Sequence, residues 1–237
     1  MSRLKVLLFL LPLPALAATS DPQHYRLCLN AGATNPAAAL ADAERWSHAG
    51  GGIPAQHCAA VALVGLKRYA QAAAQLDRLG AAKGVPDVSF RAELFDQAGN
   101  AWMLAGDGAK AVQSFSAALA LSGGDPDLFA DLARAQALRK NWPEVELDMN
   151  AALQITPHRA DLLVLRASAR RALKRFAEAR ADIVLALKLK PGDGDVLIES
   201  GLLRQQMGDI GGARKDFQAA LKTGAAAQAQ QNLDALK

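Results

Sequence analysis

Aromatic residues and cysteines are scarce in this chain of 237 residues. Aromatic side chains make up 5% of the chain, and the only two cysteines are Cys28 and Cys58. A disulfide-rich scaffold is thereby excluded. Hydrophobic residues still account for 51%, with alanine in marked excess, which is enough for a domain with a sizeable core. Because alanine has the highest helix propensity and runs of β-branched residues are few, the composition predicts helix along most of the chain.

Recognisable catalytic motifs are absent from the sequence. It contains no metalloprotease H-E-x-x-H helix, no Walker loop and no G-x-S-x-G elbow, and its four histidines are scattered. His57 stands beside Cys58, but adjacent residues on a helix point about 100° apart and do not share a ligand. We therefore predict that the protein is not an enzyme and uses no cofactor and no metal ion.

Charge of one sign is not concentrated anywhere in the chain. The formal net charge is +4, and two of the positive charges, Arg3 and Lys5, lie in the leader described next, which leaves +2 for the remainder. Acidic and basic residues are interspersed, whereas a nucleic-acid-binding protein shows clustered bases on one face. The sequence therefore predicts no nucleic-acid partner.

The N-terminal residues are typical of a secretory signal peptide. Arg3 and Lys5 precede an apolar core from Val6 to Leu13, and Ala15-Leu16-Ala17 forms a small-x-small cleavage site. The alternative is a membrane anchor, but the apolar run is too short to span a bilayer. We predict a signal peptide over residues 1–17, no membrane-spanning segment in the mature chain, and a periplasmic or secreted location.

A repeat of 34 residues organises most of the remaining chain and is clearest from Ala160 to Pro191. Its four best copies start at Ala92, Pro126, Ala160 and Gly194. Position eight is always small, and position twenty-four is always large and apolar. The residues at these two positions are Gly99, Ala133, Ala167 and Gly201, then Phe115, Met149, Ile183 and Phe217. Small positions let two helices approach closely, and large ones at helical spacing form a stripe that the next repeat buries.

This pattern resembles the tetratricopeptide repeat (TPR) family, whose unit is a helix, a turn and a second helix. The resemblance implies an all-α fold, a right-handed α-solenoid of antiparallel helix pairs with a C-terminal capping helix. After the signal peptide we expect degenerate helical hairpins over 18–83, a linker over 84–91, four repeats and a capping helix over 225–237. The repeats span 92–125, 126–159, 160–193 and 194–224.

The turn residues agree with this register. Gly106 and Gly208 fall at position fifteen, between the two helices of a repeat, where a residue in the left-handed region ends the first helix. Lys140 and Lys174 occupy the same position in the other two copies and match the pattern less well. Asp125 precedes Pro126 and is predicted to cap the helix that begins there.

The two cysteines are predicted to form a disulfide. Their even number suits an oxidising compartment, and each lies in the predicted first helix of its hairpin, where such helices are neighbours in a solenoid. Closing this loop contributes about 3 to 4 kcal/mol to the free energy of unfolding. The alternative is a pair of buried thiols.

The resemblance also implies a binding surface. In TPR proteins the inner face is built from the first helix of each repeat, chiefly from positions two, five, nine and twelve, and it commonly holds a peptide. The residues expected to contact a partner here are Asn100, Met103, Arg134, Ser168, Arg171 and Gln205.

The two arginines among them could bind partner carboxylates in a bidentate way. Alternatively they are solvated charges that pair with nearby acids such as Asp131. The carboxylate clamp of the family is not expected, because Asp96, Asp127 and Asp131 stand where it needs basic or amide groups.

The sequence thus predicts a non-catalytic scaffold that binds a protein or peptide partner in the periplasm through the concave face of its repeats. One alternative is a structural accessory of an envelope assembly or secretion complex, which would use its convex face or its N-terminal hairpins. A third hypothesis is an enzyme or ligand carrier, but the sequence lacks the convergent polar groups that such a site needs.

Overall fold

The computed structural model describes residues 21–85 and 87–236, and the predicted signal peptide lies outside the described residues. These two ranges contain thirteen helices and no strand, which confirms the all-α class. They divide into two compact units, one that ends at Leu66 and one that begins at Lys67.

The unit that ends at Leu66 consists of three helices that pack on one another. They are α1 (Pro22–Thr34), α2 (Pro36–His48) and α3 (Gly52–Gly65). Asp21 caps α1 by accepting hydrogen bonds from the backbone N–H groups of Gln23 and His24, 2.9 and 3.2 Å away. The N-terminal positions of both α1 and α2 are occupied by proline, whose missing N–H would have no partner there in any case.

Cys28 on α1 and Cys58 on α3 lie within bonding distance, with their Cα atoms 6.0 Å apart, a separation compatible with a disulfide. Both residues are buried against Ala43 and Ala59. The neighbouring His57 is buried as well, and its Nδ1 is hydrogen-bonded to the Tyr25 hydroxyl. The sulfur of Cys58 is therefore engaged by Cys28, and the imidazole of His57 by Tyr25.

The unit that begins at Lys67 is a series of helix pairs. Its helices are α4 (Tyr69–Gly80), α5 (Val88–Leu104), α6 (Gly108–Ser122), α7 (Pro126–Leu138), α8 (Trp142–Ile155), α9 (Ala160–Ala172), α10 (Phe176–Leu189), α11 (Gly194–Gln206), α12 (Ile210–Ala220) and α13 (Ala226–Asp234). Each helix packs on the next, and α7, α9 and α11 also contact the first helix of the repeat before them.

Three of the four repeats begin where the sequence places them, since α7, α9 and α11 start at Pro126, Ala160 and Gly194. Asp125 caps α7 as predicted, and its Oδ1 accepts from the Asp127 N–H at 2.8 Å. The first helix of the remaining repeat starts earlier, at Val88, because Asp87 caps it through the N–H groups of Ser89 and Phe90. Residues 88–91 of the predicted linker are therefore helical.

Helix α4 packs with the repeats that follow it. Asp77 of α4 accepts hydrogen bonds from the indole N–H of Trp102 on α5 and from the hydroxyl of Ser114 on α6, both at 2.7 Å. The guanidinium of Arg91 donates to the carbonyl of Gly80 across the connection between α4 and α5, at 2.9 Å. The boundary between the compact units consequently lies at residues 66 and 67, earlier in the chain than the predicted linker.

All four residues at position fifteen adopt the left-handed backbone conformation. The φ angles are 77° and 84° at Gly106 and Gly208, and 57° and 62° at Lys140 and Lys174. The turn geometry predicted from the glycines is confirmed, and the two lysine turns have the same geometry despite the steric cost of a Cβ atom there.

Positions eight and twenty-four contact each other within a repeat. A Cβ atom added to Gly99 would lie 2.6 Å from the ring of Phe115, and one added to Gly201 would overlap the ring of Phe217. The other two repeats combine alanine with a narrower side chain, Ala133 with Met149 and Ala167 with Ile183. The helix spacing within each repeat thus depends on the two residues together.

Within the described ranges, no helix combines the length and the apolar character needed to cross a membrane.

Candidate functional site

The first helices of the four repeats, α5, α7, α9 and α11, lie side by side in sequence order. We call the surface formed by their positions two, five, nine and twelve the first-helix face. Of the six residues predicted to bind a partner, Asn100 and Arg134 are exposed, and Met103, Ser168, Arg171 and Gln205 are half-buried. Ala130 and Ile198 occupy position five of their repeats and are buried, so they belong to the core.

Arg134 forms an ion pair within its own helix. Its Nη1 lies 2.5 Å from Oδ1 of Asp131, one turn earlier on α7, and 45% of its side chain is exposed. This geometry is the intrahelical pairing that sequence analysis weighed against partner contact. An exposed pair of this kind is worth only about 0 to 1 kcal/mol, so a partner can displace it.

Arg171 is held much more firmly. Its Nε and Nη2 donate to the two carboxylate oxygens of Glu199 on α11, at 2.5 and 3.1 Å. The two side chains are only 16% and 7% exposed. Burial raises the pKa of Glu199, and the Arg171 guanidinium opposes that rise. Arg171 therefore ties α9 to α11, and its guanidinium is already engaged.

Glu199 and Arg159 pair with residues of this surface, and sequence analysis missed both. Arg159 lies just before α9 and pairs with Asp127 on α7 and with Asp161 on α9, both at 2.5 Å. Hydrogen bonds from Arg159 lower the pKa of Asp161. The repeat could not predict these pairs, because the residues equivalent to Arg159 before α7 and α11 are Asp125 and Asp193. The sequence still held one signal for these pairs, because Arg159 stands two residues before Asp161, and Asp127 is the equivalent of Asp161 in the preceding repeat.

The α5 end of the first-helix face is acidic. The amide of Asn100 donates to the carbonyl and to Oδ1 of Asp96, at 3.1 and 3.2 Å. Burial, followed by the neighbouring carboxylates of Asp131, Asp125 and Glu93, raises the pKa of Asp96 to about 6. No ion pair neutralises Glu93, Asp96 or Asp195 within residues 87–236. With its arginines paired internally, the face keeps carboxylates that no ion pair neutralises within residues 87–236.

A second polar cluster joins the second and third repeats and was not predicted. The Arg166 guanidinium donates to both oxygens of Asp182 at 3.0 and 2.7 Å, and Arg170 donates to Asp182 at 2.7 Å and to Glu146 at 2.9 Å. Arg175 pairs with the other oxygen of Glu146 at 2.5 Å. Glu146 and Asp182 are buried, so these charges are satisfied by one another and connect α8, α9 and α10.

Grouped metal ligands are not found in the described ranges, which hold no set of three or more His, Cys, Asp and Glu residues arranged to bind an ion.

No protein-family model and no curated protein sequence matches the chain. Its fold, however, matches solved structures. A tetratricopeptide repeat protein from Parabacteroides merdae superposes with a TM-score of 0.64 and 18% identity, covering 92% of this chain and 86% of that one. The C-terminal part of a TPR repeat-containing protein from Cytophaga hutchinsonii gives a TM-score of 0.65 and 17% identity, covering 86% and 80%.

YrrB, a TPR protein with an unusual peptide-binding site, gives a TM-score of 0.56 and 14% identity, covering 76% of this chain and 90% of that one. At these identities the likeness shows the fold alone. The chain has the fold of tetratricopeptide repeat proteins, as its repeat of 34 residues predicts.

Proposed function

We propose that the protein is a non-catalytic scaffold that binds a segment of another protein on the first-helix face. The observation that carries this proposal is the face itself, a continuous surface of four neighbouring helices with exposed polar side chains and carboxylates that no ion pair neutralises within residues 87–236. The fold supports it, and one structural neighbour, YrrB, has a peptide-binding site. The predicted signal peptide supports a periplasmic location.

The six predicted residues take different parts in this proposal. Asn100, Met103, Ser168 and Gln205 contact the bound segment directly, and Arg134 does so after its exposed pair with Asp131 opens. Arg171 acts as a positioning residue, because Glu199 already holds its guanidinium. The charges favour a segment with at least one basic residue, placed near Glu93 and Asp96.

The pH dependence of binding follows from Asp96. Its pKa is raised to about 6, so protonation below that pH removes one of the carboxylates that face the partner. We expect affinity for a basic segment to fall several-fold from about pH 7.5 to about pH 5. Isothermal titration at both pH values measures this, and an Asp96→Asn variant should lose most of the difference.

The partner itself can be found by affinity capture from envelope extract with the full mature chain, followed by mass spectrometry. The variant Asn100→Ala/Arg134→Ala removes two exposed contacts without touching the core. Arg171→Ala is a poor choice, because it would leave Glu199 buried without its cation and destabilise the fold. The control is Leu147→Ser, which alters an exposed side chain on a second helix, α8.

We expect a protein that the parent and Leu147→Ser retain and that Asn100→Ala/Arg134→Ala loses, with helicity and Tm unchanged. The captured segment, made as a peptide, should then perturb Met103. If both variants retain the same partner as the parent, the first-helix face is not its binding surface. Turnover of a substrate by the purified chain would contradict the non-catalytic part of the proposal.

A second candidate function, an accessory of an envelope assembly, is favoured by apolar side chains on the second helices. Leu147 and Ile155 on α8 and Val184 on α10 are 61%, 53% and 45% exposed. In the same experiment, loss of the partner by Leu147→Ser alone would favour this function.

A further inference from the structure

A cleft of about 360 Å³ opens between α10 and α11, beside the turn that leads into α12. Its apolar wall includes Val184, Leu187 and Met207, and Arg180, Arg204 and Asp209 lie at its polar edge. The volume is at the small end of protein binding pockets, which suits one or two side chains of a bound segment.

The cleft is separate from the first-helix face. Its residues from α11 and the C-cap residue that follows occupy positions seven, ten, eleven and fourteen of the fourth repeat, whereas the first-helix face uses positions two, five, nine and twelve. At about 100° per residue these two sets point to opposite sides of the helix. Binding at one surface therefore does not require the other.

The equivalent junction one repeat earlier, between α8 and α9, is closed by polar contacts. There Glu146 accepts from the Arg170 guanidinium at 2.9 Å, and Asn150 accepts from Arg166 at 2.9 Å. The α8 and α9 helices also pack more extensively on each other than α10 and α11 do. At this junction, a carboxylate supplied by α8 thus closes the contact with α9.

At the α10 and α11 junction this carboxylate is replaced. Arg180 stands where Glu146 stands one repeat earlier, and it lines the same cleft as Arg204, the equivalent of Arg170. Val184 takes the place of Asn150, which removes the second polar contact and leaves an apolar wall. Two like charges replace an ion pair, and the cleft stays open.

The guanidiniums of Arg180 and Arg204 can donate hydrogen bonds to a carboxylate from outside the chain. Asp216 lies 3.1 Å from Arg204, as Asp182 lies 2.7 Å from Arg170, and Arg170 binds Glu146 at the same time. Arg180 is exposed and has no ion pair within residues 87–236. Asp209 accepts from the Gly212 N–H at 2.8 Å as the cap of α12, and its other oxygen lies 3.8 Å from Arg204.

We propose that this cleft binds a segment of a partner protein in which an aliphatic residue stands next to an acidic one. The aliphatic side chain packs against Val184, Leu187 and Met207, and the carboxylate is held between Arg180 and Arg204. The partner thereby supplies the group that Glu146 supplies inside the chain.

Methionine methyl resonances of the full chain test this directly. The chain has four methionines, and three of them report on different places: Met103 on the first-helix face, Met149 in the core and Met207 in the cleft. The probe is the peptide acetyl-Ala-Leu-Glu-Leu-Ala-amide, and the matched control has Gln in place of Glu. A Met207→Leu variant assigns the cleft resonance.

We expect the Glu peptide to shift the Met207 signal in a saturable way and to leave those of Met103 and Met149 unchanged. The Gln peptide should bind about tenfold more weakly, because it lacks the charge-assisted hydrogen bonds to the guanidiniums. No shift of Met207 at about ten millimolar peptide, equal binding of the two peptides, or a shift at Met103 instead would each overturn the proposal.

Two variants extend the test without removing a core residue. Arg180→Glu restores the pairing of the α8 and α9 junction, so it should bind the Glu peptide at least about tenfold more weakly at an unchanged or raised Tm. Asp209→Asn keeps the capping oxygen and removes a competing negative charge, so it should bind the peptide several-fold more tightly. Binding by Arg180→Glu at the parent's affinity, or weaker binding by Asp209→Asn, would contradict the assignment. Neither variant touches the first-helix face, so these results do not depend on the proposed function.

Discussion

The second and third repeats, residues 126–159 and 160–193, carry an aspartate at the same position and surround it differently. Asp182 in the third repeat accepts hydrogen bonds from Arg166 and Arg170. In the second repeat these two positions hold Leu132 and Gln136. Oδ2 of Asp148 is consequently buried without a hydrogen-bond partner, and burial, followed by the charge of Glu144, raises its pKa to about 7. The repeat pattern thus places an acid without determining what neutralises it.

The largest expected effect comes from breaking the third repeat's network. Arg170→Leu would leave buried Glu146 and Asp182 with one cation fewer each, so we expect the free energy of unfolding to fall by about 3 kcal/mol. The matched change in the second repeat, Gln136→Leu, removes one neutral hydrogen bond with Asn141 and should cost about 1 kcal/mol. Urea denaturation with an unchanged m value measures both, and equal losses would show that the network adds no stability.

The third repeat also differs from the fourth, in the apolar contact between positions eight and twenty-four. The third repeat combines Ala167 with Ile183, whereas the fourth combines Gly201 with Phe217. A methyl group at Gly201 would overlap the Phe217 ring, so Gly201→Ala should cost about 2 kcal/mol.

Adding Phe217→Ile to that variant reproduces the third repeat's pair and should recover part of the loss. Gly192→Ala is the control, because nothing lies within 4 Å of its added Cβ and its expected effect is within about 0.5 kcal/mol. Thermal unfolding would reveal the order. A double variant less stable than Gly201→Ala would mean that the pair is not the determining contact.

An intermediate, pH-dependent effect is expected at Asp148. A carboxyl group whose pKa is raised on folding makes the folded state less stable as pH rises through the interval between its unfolded value, 3.8, and its folded value, about 7. Asp148→Asn removes this charge. After allowance for solvent screening, it should be more stable than the parent by about 1 kcal/mol near pH 8, with no gain near pH 4. Asp182→Asn should destabilise at both pH values, since one of the two oxygens that accept from Arg166 and Arg170 becomes a donating NH2 group.

The smallest expected change in stability comes from the turn residues, and it should be equal in the second and third repeats. Lys140 and Lys174 both have positive φ, so replacement by glycine relieves a steric cost of about 1 to 2 kcal/mol and adds about 0.5 to 1 kcal/mol of backbone entropy cost. A gain of about 0.5 kcal/mol is expected for each. Lys174→Ala retains the Cβ atom and should show no gain. Unequal gains in differential scanning calorimetry would indicate that one lysine side chain makes a stabilising contact.

Features that recur with the repeat could be predicted from the sequence, and these comparisons show why the others could not. The starts of α7, α9 and α11, the Asp125 cap and the left-handed turns depend on neighbouring residues along the chain. The bidentate pair of Arg171 and Glu199 joins residues 28 positions apart, and no other repeat contains it. Its existence depends on the distance between two helices, which the local pattern does not specify.

The candidate site divides in the same way. Sequence reasoning selected the helices and positions of the first-helix face from the register, and the binding of a partner there stays a prediction. It did not identify which side chains pair within it. Asn100 was expected to contact a partner, and it also donates to Asp96. Asp127 and Asp161 are neutralised by Arg159, which does not occupy position two, five, nine or twelve of a repeat.

The reversal of charge from Glu146 to Arg180 also limits how such an array can change its length during evolution. If the third repeat were duplicated in tandem, the first copy's Arg180 would face the second copy's Arg170, and a junction of two cations would arise inside the array. If the same repeat were deleted, Glu146 would meet Arg204, and the new neighbours would attract each other. This charge pattern therefore favours an array that has lost its third repeat over an array that has gained a second copy of it.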